Sequence, residues 1–261
     1  MRSEQSRQIY RRRQLLEVIC QLRFPDILKI ESTAPAEFQD QIRAEYPQYQ
    51  KKVEQLPPQI VNGKPVPQGT VNNYQFISED GQWKISLTRS FIALSTHGYT
   101  RWEDFAKRLD RVLAALIQLY QPAYFTRVGL RYINAIDREA LKLDDCLWRE
   151  LIQPGYLGLL ADEDAQESAF SKCEQNASLL LPGGAKSNVK AGPGTLRKVN
   201  NRTKESSETR VYMLDLDVYM DGKTPLGQTA PALNIVHGNA DSLFRGAITD
   251  TLADAMEPVE P

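Results

Sequence analysis

The stretch FTRVGLRYINAI at positions 125–136 alternates apolar and polar side chains with a period of two. Val128, Leu130 and Tyr132 share one side, while Arg127, Gly129 and Arg131 share the other. That pattern predicts a strand with one face packed and one face left polar. LLEVICQLRF at 15–24 repeats it, with Leu16, Val18, Cys20, Leu22 and Phe24 opposed to Glu17, Ile19, Gln21 and Arg23, and Pro25 ends the run. In APAEFQDQIRAEYP (34–47), Phe38, Ile42 and Tyr46 recur every four residues, which predicts a short amphipathic helix stopped by Pro47. Residues 56–69 hold four prolines and two glycines, a composition that allows a brief edge strand among turns or a plain loop.

YQFISED, WKISLTRS and FIALSTHG follow at 74–98 as three alternating runs. The Asp80-Gly81 pair between the first two predicts a tight hairpin, because glycine reaches positive φ at no steric cost. TRWEDFAKRLDRVLAALIQLYQP (100–122) places Trp102, Phe105, Leu109, Val112, Leu113, Leu116 and Tyr120 on one stripe. It reads as a long helix with Thr100 as N-cap, Glu103 as its box partner and Pro122 as the stop.

The order then repeats. Strand 125–136 is followed by a predicted helix over LDDCLWRELIQ (143–153) and strands near SKCEQNASLLLP (171–182) and SNVKAGPGTLRKV (187–199). TRVYMLDLDVYM (209–220) is a further strand, and NADSLFRGAITDTLADAM (239–256) a long helix with Leu243, Phe244, Ala247, Ile248, Leu252 and Ala255 on one side. A His-Gly pair, read as a turn, precedes each long helix, at His97-Gly98 and His237-Gly238. The expectation is an α+β protein of two similar halves, 15–122 and 123–256, with a basic arm at 1–14 and a tail at 257–261. Each half would make a curved antiparallel sheet with its helices on one face, the two sheets joining into a longer one. Arg23, Lys84, Arg127 and Arg131 would then lie on the uncovered face beside Glu17, Gln21, Ser86 and Thr88. Such a face is either ordinary solvated surface or a platform for a partner, an anion or a polynucleotide.

Charge does not choose between these. Lys plus Arg total 32 against 33 Asp plus Glu, a net charge of −1, so the whole molecule has no general attraction to polyanions. Local patches are the alternative. The arm carries Arg2, Arg7, Arg11, Arg12 and Arg13 against Glu4, and residues 183–204 carry Lys186, Lys190, Arg197, Lys198, Arg202 and Lys204 with no acid. These can neutralise phosphates, but no interleaved aromatic side chains offer base stacking. Residues 137–167 balance them with nine acidic to three basic side chains. Three cysteines without CxxC spacing, no signal-peptide pattern and no membrane-length apolar run predict a cytoplasmic location.

Known catalytic spacings are missing. The sequence has no HExxH, zinc-type Cys/His cluster, GxSxG, Walker loop or GxGxxG, and its two histidines are the only neutral-pH bases. In LDLDVYMDG (214–222), Asp215 and Asp217 project from one face of a strand with Asp221 just beyond, a pair able to hold Mg²⁺ if a third carboxylate joins them. Leu214, Leu216 and Val218 supply the buried alternation, so the same carboxylates also read as a solvent face.

At LLEVICQLRF, RVGLRYINAI, LDLDVY and LFRGAITDTL, in that order, the chain resembles a sporadically distributed bacterial family of about this length with no assigned function. The likeness runs from Tyr10 to Met256, but its motifs describe strands and a helix rather than chemistry. Arg11-Arg12-Arg13 stands where that family has a proline-containing stretch, and the polar segment 183–208 is also a departure. Patchy distribution implies mobile genes, as in defence and toxin-antitoxin systems. The function expected is a non-catalytic binding or scaffold module with a protein partner and no cofactor. A nucleic-acid-binding component using Arg23, Lys84, Arg127, Arg131, Lys186, Lys190, Arg197 and Lys198 is the alternative, and a metal-dependent enzyme using Asp215 and Asp217 comes third.

Overall fold

The computed structural model describes residues 8–55, 58–61, 63–66, 69–199 and 206–259, the side chains of residues 61, 198 and 199 aside. Arg2, Arg7, Arg202 and Lys204 of the basic segments lie outside the described residues, as does the Lys198 side chain. The fold is α+β: nine strands form an antiparallel open sheet with helices packed on it.

In chain order the strands are β1 (Leu15–Arg23), β2 (Gln48–Gln55), β3 (Thr70–Ile77), β4 (Trp83–Leu87), β5 (Phe91–Thr96), β6 (Phe125–Asp137), β7 (Gln175–Leu180), β8 (Lys186–Val199) and β9 (Ser206–Thr224). Across the sheet they run β7-β8-β9-β6-β1-β5-β4-β3-β2. The helices are α1 (Leu28–Ser32), α2 (Ala36–Ile42), α3 (Trp102–Tyr120), α4 (Arg138–Leu141), α5 (Trp148–Leu151), α6 (Pro154–Leu157), α7 (Thr229–Ala247) and α8 (Asp250–Ala255). Two compact units share these elements, one made of residues 19–129 and 221–232, the other of 1–18, 130–220 and 233–261. Each unit therefore draws on both sequence segments, 15–122 and 123–256.

Within the 19–129 unit the core is aromatic. Phe38 of α2 lies 5.5 Å from Phe76 of β3, and Phe105 of α3 lies 5.7 Å from Trp83 of β4. The meander is in register, with Phe76 opposite Ile85 and Ile85 opposite Leu94 on the helix-covered side. Six of the seven stripe residues of α3 are buried as their spacing predicts, and Tyr120 is half-buried. Its start is shifted by one residue: Arg101 is the N-cap, and the Thr100 hydroxyl donates to Asp104 rather than capping the helix. Gln121 closes the helix in a left-handed conformation, φ 46°, with its N–H on the Ile117 carbonyl. The Asp80-Gly81 hairpin exists as a four-residue loop, closed by Ser78 N–H to the Trp83 carbonyl. The Asp80 carboxylate accepts from Ser78 Oγ and Gln82 N–H, and the Ser78 bond leads in holding its pKa below the usual carboxylate value.

In the other unit, Trp148, Leu151 and Ile152 pack with Tyr212, Leu214 and Leu216 of β9 and with Ala247, Ile248 and Leu252. Trp148 and Tyr212 have ring centroids 5.3 Å apart. The predicted helix 143–153 is one turn, Trp148–Leu151. The long helix predicted at 239–256 is corrected at both ends. It starts ten residues earlier, at Thr229, and breaks at Ile248, with Thr249 capping α8 through its hydroxyl. His237 and Gly238 are therefore inside α7 and not in a turn. Ala232, Leu233, Val236 and Ala240 supply the buried stripe, and Gly238 sits exposed, where a helix tolerates glycine for about 1 kcal/mol.

The described part of the basic arm is docked. Ile9 and Tyr10 pair with Val259 and Pro258, and Arg11 and Arg12 donate their N–H groups to Glu257 and Met256. The Arg12 guanidinium donates to the carbonyls of Ala140, Leu141 and Ala255, which end α4 and α8. A cation at helix C-termini satisfies orphan acceptors and complements the dipole. Arg12→Ala is expected to cost about 2 kcal/mol in urea unfolding, as hydrogen bonds from a charged donor are lost. Arg11→Ala, on an exposed side chain, should change little.

Candidate functional site

Alternation fixes which side chains leave the helix-covered face. On β9, Leu214, Leu216 and Val218 are buried, while Asp215 and Asp217 point the other way. On β6, Tyr132 reaches α7, where its hydroxyl meets His237 Nδ1 at 3.0 Å, and Arg131 points oppositely. Arg131 and Asp215 meet on that opposite side. Arg131 Nε donates to Asp215 Oδ1 at 2.7 Å, and Nη2 donates to the second carboxylate oxygen. This planar, two-point geometry is the strong form of a charge-assisted bond. Donation to the Asp215 carboxylate raises the Arg131 pKa, against the lowering effect of partial burial, and Asp217 and Glu17 add to the rise. The carboxylate is mostly shielded, 15% exposed, and the guanidinium 42% exposed.

Register extends the row. Lys190 stands opposite Asp215 on β8, Asn188 opposite Asp217, and Lys186 opposite Tyr219. On β7, Asn176 lies beside Lys190, and Ser178 donates to Asn188 Oδ1 at 3.0 Å. The face in this unit carries both signs: Arg131 and Lys190 stand among Asp215, Asp217 and Glu17. A shallow cavity of about 290 Å³ opens on it, lined by Lys172, Glu174, Lys190, Gly192, Met213 and Asp215 among others. Gly192 is required there, because a Cβ at that position would strike the backbone carbonyl of Cys173. Farther along the β8–β9 ribbon, Arg197 stands opposite Glu208 in the register and donates to Ser206 at 3.3 Å, while Lys198 stands opposite Ser207.

Arg23, Lys84 and Arg127 belong to the 19–129 unit. Arg23 Nε donates to Gln21 at 2.9 Å. Lys84 is in register with Ile77 and Ser95, beside the row of Gln75, Ser86 and Ala93. Gln75, Ser86 and Ser95 are buried despite being polar. The Arg127 guanidinium lies over Gly129, where a Cβ would displace this flexible side-chain end.

Both Asp215 oxygens are taken by Arg131, and among the described residues no group of three or more His, Cys, Asp and Glu side chains could hold a metal ion. His237 is tied to Tyr132, and His97 donates its N–H to the Gln82 carbonyl in the turn after β5. Burial pushes the Cys20 thiol far up, which disfavours the thiolate. No helix among the described residues is long and apolar enough to cross a membrane.

Sequence reasoning named Arg131, Asp215, Asp217 and Lys190 in separate roles and missed that they form one row. It also missed a second polar cluster, built on Arg138. That guanidinium sits 4.0 Å from the centre of the Trp148 ring and 3.1 Å from Glu167, whose carboxylate also accepts the backbone N–H of Trp148. Comparison with known proteins gives no lead: no family model and no curated protein matches the chain.

Proposed function

We propose that the chain is a non-catalytic binding module that presents the polar sheet face around Arg131 and Asp215 to a protein partner. The observation that carries this reading is the bidentate Arg131–Asp215 pair. It cancels the charge a polyanion would need and leaves fixed donors and acceptors of both signs, which suits a protein surface of mixed charge. Lys190, Asp217 and Asn188 extend that mixed pattern. The resemblance to a sporadically distributed bacterial family supports a place in a defence or toxin-antitoxin system. The matched order of strand, helix, meander and long helix in 15–122 and 123–256 supports an origin by internal duplication.

The test is retention on the immobilised chain. A mixed-charge protein partner should remain bound after nuclease treatment and be lost when Lys190→Glu and Asp217→Lys are combined, since both are surface changes on the proposed face. Loss on nuclease treatment with retention by the double variant counts against the proposal. A second reading, nucleic-acid binding, is favoured by the exposed Arg197 and Arg210 on the paired β8–β9 ribbon, a two-stranded element that fits a major groove. It predicts affinity falling steeply with salt and with Arg197→Glu.

A further inference from the structure

We infer that the outer edge of β7 pairs antiparallel with β7 of a second copy of this chain, about a two-fold axis at Ser178. This goes beyond the proposed face and does not depend on it. Strand β7 ends the sheet, and among the described residues no strand lies on its outer side. The two edges of the sheet are guarded differently. At the other end, β2 carries Lys51, Lys52 and Glu54, charges that discourage strand addition. Strand β7 reads QNASLL, without a charge, and Leu180 is 86% exposed.

The backbone selects the register. Leu181 N–H donates to the Ala185 carbonyl at 2.8 Å, so 181 and 185 form a hydrogen-bonded pair. Pairs alternate along an antiparallel ladder. The next pairs along the ladder are Leu180 with Lys186, Leu179 with Ser187 and Ser178 with Asn188. Leu179 and Ala177 therefore turn their N–H and C=O groups toward β8, while Asn176, Ser178 and Leu180 turn theirs outward. A two-fold axis at the middle residue sets Ser178 against Ser178 of the second copy, and Asn176 against Leu180 in both directions. All three outward N–H groups and all three outward carbonyls are then satisfied. The same axis sets Glu174 against Pro182, which has no N–H and whose carbonyl already accepts Asn239 Nδ2 at 3.1 Å. The ladder ends there. No charged side chain faces its own copy, whereas self-pairing of β2 about its centre would oppose lysines. The contact uses the same surface twice and closes at two copies.

Sedimentation of the full chain over a concentration series tests this. The wild type is expected to rise toward twice the monomer mass, and Ser178→Lys, which opposes two ammonium groups across the axis, is expected to stay monomeric. Ser178→Pro, which removes an outward N–H, should also remain monomeric. With Cys146 and Cys173 replaced by serine, Ser178→Cys is expected to give a covalent dimer on mild oxidation and Ala177→Cys is not. A wild type that stays monomeric, a dimer unaffected by Ser178→Lys, or equal cross-linking from positions 177 and 178 would overturn the inference.

Discussion

Glu167→Ala is expected to lower stability by about 3 kcal/mol, because it strands a mostly buried guanidinium without its counter-charge. Arg138 and Glu167 are 16% and 15% exposed and 3.1 Å apart. The same carboxylate accepts the first free N–H of α5 at Trp148, so its removal also uncaps that helix. Arg138 keeps its bond to the Cys146 carbonyl and its place over the Trp148 ring, but neither neutralises it. Glu167→Gln retains an acceptor and should cost less than the alanine change. Replacing Arg138 and Glu167 together by methionine and leucine should cost less than Glu167→Ala alone, since no charge is left buried and unpaired. Urea midpoints of the four proteins, with the slope unchanged, check the order. Equal loss in Glu167→Ala and Glu167→Gln would assign the effect to the charge alone and remove the capping role.

The second large effect belongs to Phe105→Ala, at about 4 kcal/mol. Phe105 is fully buried on α3 and has Trp83, Tyr99 and Trp102 within 5.7 to 6.0 Å between ring centroids. An alanine leaves a cavity walled by rigid rings that cannot collapse into it, so the transfer loss and the cavity term add. Phe105→Leu refills much of the volume and is expected to recover roughly half of the loss. Thermal unfolding of the three proteins measures it. A loss below about 1 kcal/mol for the alanine variant would mean that the aromatic cluster is not the packed centre of that unit.

The parts of the fold that were legible in the sequence are those where burial is one-sided. Val18, Cys20 and Leu22 alternate with half-buried or exposed neighbours in β1, and the α3 stripe is buried except at half-buried Tyr120, so the periods of two and of about four survive into the structure. Strand β2 gave no such signal, because all eight of its residues are exposed at a sheet edge and its pairing with β3 is a backbone matter. The start of α7 was hidden by Pro231, His237 and Gly238, which usually mark turns. Buried Leu233, Val236 and Ala240 outweigh them once the helix packs. The candidate site was legible by composition and not by arrangement. Arg131 and Asp215 are 84 residues apart, and only the pairing of strands makes them neighbours. Gly129 and Gly192 read as ordinary strand glycines until the Arg127 guanidinium and the Cys173 carbonyl are seen resting on them.

The pairing of Ile9 and Tyr10 with Val259 and Pro258 means that the described backbone nearly closes into a ring. The first and last described residues, 8 and 259, therefore lie in one neighbourhood. A chain rearranged to join residues 8 and 259 is expected to need only a short linker.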